Sequence, residues 1–391
     1  MNDYFVDIGW QSHNKYGELL CGDHIEIARR DEGTTVVVLA DGLGSGVKAN
    51  ILSTLTSTII STMIANNMSI EDCVSAITAT LPVCDVRKIA YSTFTIIRID
   101  EALEAEIIQY DNPHVFLLRD GKNMVFPETL EKIDGKTIYK SHIKMRENDT
   151  FVAVSDGVVH AGVGKTLNFG WKRDDIIDYM ERMYTDAYTA KGLTTLLSEQ
   201  CLALYEGKPD DDATVCTVKI RRRDPVSLMI GPPADPADVP AMMSLFFSKE
   251  GKHVVCGGTT SQLAAEYLQR PLLLGDAEYA DPAVPPTAAI EGVDIVTEGI
   301  VTINKVLEYA KNYLNENSLY LAWSCGQDGA SQIAKTLIED ATDINFYVGR
   351  AVNPAHQNPD LPIGFNIKMH LVEELAESLR LMNKRVKVSY F

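Results

Sequence analysis

Val38-Leu39-Ala40-Asp41-Gly42-Leu43-Gly44-Ser45-Gly46 decides how this chain is read. An apolar run with β-branched residues ends on a carboxylate and passes straight into glycine and serine, which is a strand giving way to a turn. Three other aspartates stand in comparable places: Cys21-Gly22-Asp23, Val152-Ala153-Val154-Ser155-Asp156-Gly157-Val158, and Asp211-Asp212-Ala213-Thr214-Val215. Any one of them alone is equally a plain turn. Taken together, carboxylates held on strand ends suit hard divalent cations such as magnesium or manganese, which take one or two carboxylates each and keep several waters. Two such ions about 3.5–4 Å apart would polarise a phosphoryl oxygen and make water nucleophilic near neutral pH.

In this order and spacing, from about Asp3 to Arg221, these segments resemble the stage II sporulation protein E class of metal-dependent (type 2C) serine/threonine protein phosphatases, a class also found among bacterial sigma-factor regulators. The resemblance implies a four-layer α/β/β/α sandwich of antiparallel sheets over residues 1–222. It implies Asp41, Asp156 and Asp211 as catalytic residues and direct ligands of two Mn2+ or Mg2+ ions. Gly42 would add its backbone carbonyl, and Asp23 would act directly or through a metal-bound water. The implied reaction is attack by a metal-bridging hydroxide on phosphoserine or phosphothreonine of a bacterial signalling protein, such as an anti-sigma-factor antagonist. Two departures stand out. Asp111-Asn112-Pro113-His114 occupies the place of a Gly-His-Pro found in many relatives, and the stretch before Cys21 has no arginine to hold a phosphate.

A length of 391 residues allows two domains. A net charge of −18 disfavours nucleic acid and anionic membrane as partners. Seven dispersed cysteines, Cys21, Cys73, Cys84, Cys201, Cys216, Cys256 and Cys325, predict free thiols and a cytoplasmic location. Met1-Asn2-Asp3-Tyr4 lacks the features of a signal peptide. The uncharged stretch Ala49 to Ile70 is too rich in serine and threonine to span a membrane. It reads as a buried helix with Ile51, Leu55, Ile59 and Met63 on its packed face. Ser69, with Asp72 three residues on, reads as the N-cap of a second helix toward Leu81. Strands follow at Ser92–Ile99, Glu104–Tyr110 and Val115–Leu118, then a helical region from Arg173 to Tyr205. The insertion from His160 to Lys172, punctuated by Gly162, Gly164 and Gly170, reads as a mobile loop beside the site or as plain surface. His160 itself is within reach as a proton donor or is structural.

Lys219-Ile220-Arg221-Arg222-Arg223-Asp224-Pro225 reads as a linker. Strand and helix patterns then alternate over 226–391, which predicts a C-terminal open α/β domain. Its turn Cys256-Gly257-Gly258-Thr259-Thr260-Ser261 puts glycines and hydroxyls between a strand and a helix start. Gly257, Gly258, Thr259, Thr260 and Ser261 therefore form either an anion or small-molecule effector site or simply a good helix cap. The G-K-[ST] ending of a P-loop is missing. His253 and Ser261 flank the turn, yet no nucleophile–base pair stands out. Two functions remain open: a phosphatase regulated through its C-terminal domain, or a catalytically weak pseudophosphatase that senses a ligand and binds a signalling protein.

Overall fold

The computed structural model describes residues 3–30, 33–80, 92–274, 287–315, 319–351 and 367–391. Leu81 and Cys84 lie outside the described residues. By internal packing the chain divides into two compact units, Met1–Arg222 and Arg223–Phe391.

The first unit runs β1 (Tyr4–His13), β2 (Asp23–Arg29), β3 (Thr35–Gly42), α1 (Gly46–Ala65), α2 (Ile70–Thr80), β4 (Ser92–Ile99), β5 (Glu104–Tyr110), β6 (Phe116–Arg119), β7 (Lys122–Met124), β8 (Thr129–Ile133), β9 (Lys136–Lys144), β10 (Thr150–Val154), α3 (Asp156–Val159), α4 (Arg173–Met183), α5 (Ala190–Leu204) and β11 (Ala213–Arg222). Its strands form two antiparallel sheets, β1-β11-β10-β6-β7 and β2-β3-β4-β5-β9-β8. The apolar run of β3 has a simple cause, which is burial on both faces. Val37 and Leu39 point between the sheets, where they meet Ile97, Phe151 and Val218. Val36 and Val38 point the other way, into a core shared with Leu52, Ile60 and Val74 of the helices α1 and α2. On the far side, Val152, Val154 and Val215 pack against Ile176 and Met180 of α4 and Leu193 and Leu197 of α5. The layers are α/β/β/α, as expected.

The packed face of α1 differs from the expected one. Ile51 and Leu55 are exposed, Ile59 and Met63 pack half-buried against the core as expected, and the fully buried positions are Leu52, Thr56, Ile60 and Ile64 together with Ser53, Ser57 and Ser61. The reason lies in the small residues. The three serine hydroxyls donate to the carbonyls of Asn50, Thr54 and Thr58, each three residues back at 3.1 Å, so they enter the interface already satisfied. Leu52→Ala is therefore expected to cost about 2–4 kcal/mol. Ile51→Ser should stay within about 0.5 kcal/mol, both read from urea unfolding midpoints.

Ser69 caps α2 as expected: its hydroxyl accepts from the Asp72 N–H at 3.1 Å and donates to the Asp72 carboxylate at 2.9 Å. The helical region from Arg173 to Tyr205 is two helices, because the chain turns extended at Tyr184 and restarts at Thr189, whose hydroxyl accepts from Gly192 N–H. The 160–172 insertion is anchored at its tip. Lys165 Nζ reaches Lys208 O at 2.9 Å, and the Thr166 hydroxyl reaches Leu204 O at 2.8 Å.

The second unit contains β12 (Pro225–Ile230), α6 (Val239–Phe247), β13 (Lys252–Cys256), α7 (Gly258–Leu268), β14 (Leu273–Leu274), β15 (Ala288–Ala289), β16 (Ile295–Thr297), α8 (Ile300–Asn315), α9 (Tyr320–Ser324), α10 (Gly329–Ala334), β17 (Asp343–Val348), α11 (Ile367–Leu381) and β18 (Arg385–Tyr390). Its sheet runs β14-β15-β16-β13-β12-β17-β18, and the five strands from β16 to β18 are parallel. Helices cover both faces: α6 and α7 pack on Met229 and Val255, and α8, α10 and α11 pack on Leu228, Val254 and Phe346. Among the described residues no helix is long and apolar enough to cross a membrane.

Candidate metal centre

Asp23 and Asp41 stand directly opposite each other where β2 and β3 pair antiparallel. Opposed residues of such a pair point to one face. Two residues along, Ile25 and Leu39 fill the space between the sheets, so both carboxylates point into the mouth of the sandwich. The facing sheet closes the mouth from the other side. Phe151 and Ala153 of β10, and Cys216 and Val218 of β11, line the same inner core. Continuing their alternation places Ser155 and Thr214 at the mouth, with Asp156 opening α3 and Asp211 and Asp212 preceding β11. Ser155 and Thr214 lock these two strand ends together: Ser155 N donates to Thr214 O at 3.0 Å and Thr214 N to the Ser155 hydroxyl at 2.9 Å.

The electrostatics show that the four expected aspartates share one neighbourhood. Burial and then the charges of Asp23, Asp156 and Asp211 hold the Asp41 carboxyl well above the usual range. Asp156 is raised by burial and then by Asp211, while the charge of nearby His160 opposes the rise. The Asp41 and Asp156 carboxyls lie close enough to influence each other, which favours a proton on Asp41 and the charge on Asp156. Burial also pushes Asp23 up, and the neighbouring Ser155 and Thr214 hydroxyls relieve only part of that. Like charges this close do not all ionise without a proton or a cation among them.

Both Asp23 oxygens are shut off from solvent with no hydrogen-bond partner, as is Asp212 Oδ2. Among the described residues no three His, Cys, Asp or Glu side chains form a ready-made cage around one point. A magnesium-type ion does not require one, because it takes one or two carboxylates and completes its shell with water. Orphaned carboxylate oxygens, all-oxygen donors and partly open Asp41, Asp156 and Asp211 therefore fit such ions.

The glycines beside the aspartates are there for space. A Cβ at Gly42 would lie 2.2 Å from Ala49 O, and one at Gly157 would lie 2.1 Å from Asp212 O. Each is main chain, which cannot step aside. The Gly157 carbonyl is held by the Tyr205 hydroxyl at 2.6 Å, and Gly42 N donates to Gly22 O at 3.1 Å.

Asp212 is the residue the sequence reading left without a role. It is 4% exposed, and its Oδ1 accepts from Lys15 N at 3.0 Å, which fixes the β1–β2 connection beside Asp23. The doubled Asp211-Asp212 was the available signal. Asp212→Ala is expected to loosen that connection and weaken Mn2+ binding about 10- to 100-fold, as loss of an outer support does, read by calorimetric titration.

Other candidates fall outside the cluster. His114 is bound to Glu128 at 3.0 Å. Its neighbour Asn112 accepts from the hydroxyl of Thr93, which pairs with Asp41 across the sheet, so the Asp-Asn-Pro-His turn buttresses the β3 edge through its asparagine. In the second unit, Gly257 caps α7 with a φ of 107° and Gly258 to Ser261 form its first turn. Ser261 donates to Gly257 O at 2.9 Å and His253 Nε2 contacts Phe246 O at 3.2 Å, so these two do not form a catalytic pair.

Residues 31–221 match the family described as Stage II sporulation protein E (SpoIIE). No curated protein matches the chain. Among solved structures it is similar to the phosphatase domain of SpoIIE from Bacillus subtilis, with 19% identity over 57% of this chain and 95% of that one and a TM-score of 0.45. It is also similar to a serine/threonine phosphatase of S. agalactiae, with 15% identity over 55% and 99% and a TM-score of 0.41. A third is RsbX in complex with magnesium, with 19% identity over 56% and 97% and a TM-score of 0.39. The family match carries the assignment. It covers three of the four clustered aspartates and the sandwich from β3 onward, and this stretch of the first unit is consistent with the stage II sporulation protein E-like, type 2C phosphatase family.

Proposed function

We propose that the first unit hydrolyses phosphoserine or phosphothreonine on a signalling protein, using Asp41, Asp156 and Asp211 to hold two Mn2+ or Mg2+ ions. The Gly42 carbonyl and Asp23 complete the ligand set. The observation that carries this reading is the convergence of the four carboxylates, with both Asp23 oxygens buried and unpartnered. When bound, the ions supply positive charge to the phosphoryl oxygens and an activated water. The chain's own residues do the positioning: rigid strand ends fix the carboxylates, and Ser155 and Thr214 tie the two contributing strands together. His160, exposed, four residues past Asp156 and near enough for its charge to act on that carboxyl, is the residue proposed to give a proton to the leaving hydroxyl.

The substrate class proposed is a phosphorylated protein such as an anti-sigma-factor antagonist, and residues 226–391 are proposed to regulate the reaction. A cytoplasmic setting fits the free thiols of Cys21, Cys73, Cys201, Cys216, Cys256 and Cys325. The test is manganese-dependent hydrolysis of p-nitrophenyl phosphate and of a phosphoserine peptide by the full chain and by Asp156→Asn. Activity that needs a divalent ion and disappears in the variant is expected. Full turnover by the variant, or none by the parent chain in manganese, removes the reading.

A further inference from the structure

The loop after α3 grows directly out of the Asp156 turn. His160 N donates to Asp156 O at 3.0 Å, Val163 N to His160 O at 3.2 Å, and Leu167 N back to Gly162 O at 2.8 Å, so residues 160–167 close on themselves with Asp156 at their root. Trp171, buried with residues of α4 and α5, holds the far end of the insertion.

From this loop Lys165 reaches across to the segment that carries Asp211. Its Nζ donates to Lys208 O at 2.9 Å and to the two Asp210 carboxylate oxygens at 3.1 and 3.0 Å, and it lies 5.6 Å from the centre of the Tyr205 ring. Tyr205 ties the same two segments in the opposite direction. It is buried, it follows directly on α5, and its hydroxyl donates to Gly157 O, beside Asp156, at 2.6 Å. Burial, and then nearby charges that include Asp211, Asp210 and Asp156, push its phenol up, so the ring stands close to both turns. On the outer side Tyr16 N donates to Pro209 O at 2.7 Å, which leaves 208–210 gripped from two directions.

Ser155 and Thr214 already join β10 to β11, but Asp211 lies beyond that tie and outside the ladder, so the turn that bears it needs an anchor of its own. The Lys165 side chain is 26% exposed and that of Asp210 63%, and an ion pair so open to water adds little to global stability. What it fixes is one turn against another. We propose that Lys165 is a positioning residue of the candidate metal centre: together with Tyr205 it clamps the Asp211 turn against the Asp156 turn and sets the spacing of these two carboxylates. Lys165 has this role only if the four aspartates hold ions as proposed above. Its charge and its position act in opposite directions. As a bare positive charge beside the cluster it would oppose a cation, whereas as a clamp it favours one.

The experiment titrates Mn2+ by calorimetry into the metal-free full chain and its variants, and follows p-nitrophenyl phosphate turnover against Mn2+ concentration. Lys165→Met is expected to weaken Mn2+ binding at least about tenfold, as loss of an outer support does. Half-maximal turnover should need correspondingly more Mn2+, while turnover at saturating ion is largely kept. Thermal unfolding of the metal-free variant should stay within about 2 °C of the parent. Lys165→Arg, which keeps charged donors for the Lys208 carbonyl and Asp210, should recover most of the loss. Tyr205→Phe, which keeps the ring and loses only the hydroxyl, should weaken Mn2+ binding in the same direction. Unchanged or tighter Mn2+ binding by Lys165→Met, with the parent binding normally, overturns the clamp alone. Metal-free Lys165→Met melting about 5 °C or more below the parent also overturns it, because Lys165 then serves the fold. Failure of the parent chain to bind Mn2+ removes the phosphatase reading and the clamp with it.

Discussion

Asp41→Asn is expected to abolish manganese-supported phosphatase activity, by at least about a hundredfold, and to leave the metal-free protein as stable as the parent or more so. The direction of the second effect is what makes the test sharp. Asp41 faces Asp23 across one antiparallel pair and feels Asp156 and Asp211 as well. Opposed like charges on one face of a sheet destabilise it. Without a cation the cluster relieves that repulsion only by holding a proton on Asp41, a cost that a neutral amide avoids, while the amide also removes the anionic ligand proposed for the ion, whose loss exceeds the 10- to 100-fold typical of merely supporting residues. Circular dichroism and thermal unfolding with and without Mn2+ check both halves. The parent should gain stability on adding the ion and the variant should gain much less. A variant that loses activity by unfolding would show the reverse pattern.

Gly42→Ala is expected to be the most damaging single methyl in the first unit, costing about 3 kcal/mol and most of the metal-dependent activity. Its Cβ would sit 2.2 Å from the carbonyl oxygen of Ala49, in the first turns of α1, and 2.9 Å from Gly22 O beside Asp23. Relief requires α1 or the β2 edge to move, and either movement pulls Asp41 away from its partners. Gly258→Ala is the matched control, expected within about 0.5 kcal/mol because the added carbon meets nothing within 4 Å. Urea unfolding of the two variants, read beside p-nitrophenyl phosphate turnover, checks the contrast.

The features legible in the sequence were those that one short segment determines. Strand β4 was read at Ser92–Ile99 and β5 at Glu104–Tyr110, and the structure has them there. The Ser69 cap was equally local. The packed face of α1 was not legible, since a hydrophobic count favours Ile51 and Leu55 and gives no credit to serines that satisfy themselves within the helix. The break between α4 and α5 was missed because no glycine or proline interrupts 184–189, and the turn depends on Thr189 capping from outside. In the candidate metal centre the four aspartates carried their own signal, while Asp212 offered only its place beside Asp211: its importance comes from burial and from Lys15, 197 residues away in the chain. The reach of Lys165 to Asp210, 45 residues on, was hidden for the same reason.

The double burial of β3 has a consequence for timescales. Its backbone from Val36 to Ala40 lies between β2 and β4 and under two cores at once, so its amides should exchange with solvent only when the whole first unit opens. Asp41 is thus mounted within a slow-opening strand, whereas Asp211 sits outside a strand, in the turn just before β11 and next to the tethered 160–172 loop. Adjustment of the cluster to a bound phosphoprotein would then fall to the Asp211 side, with the β3 end serving as the fixed point of reference.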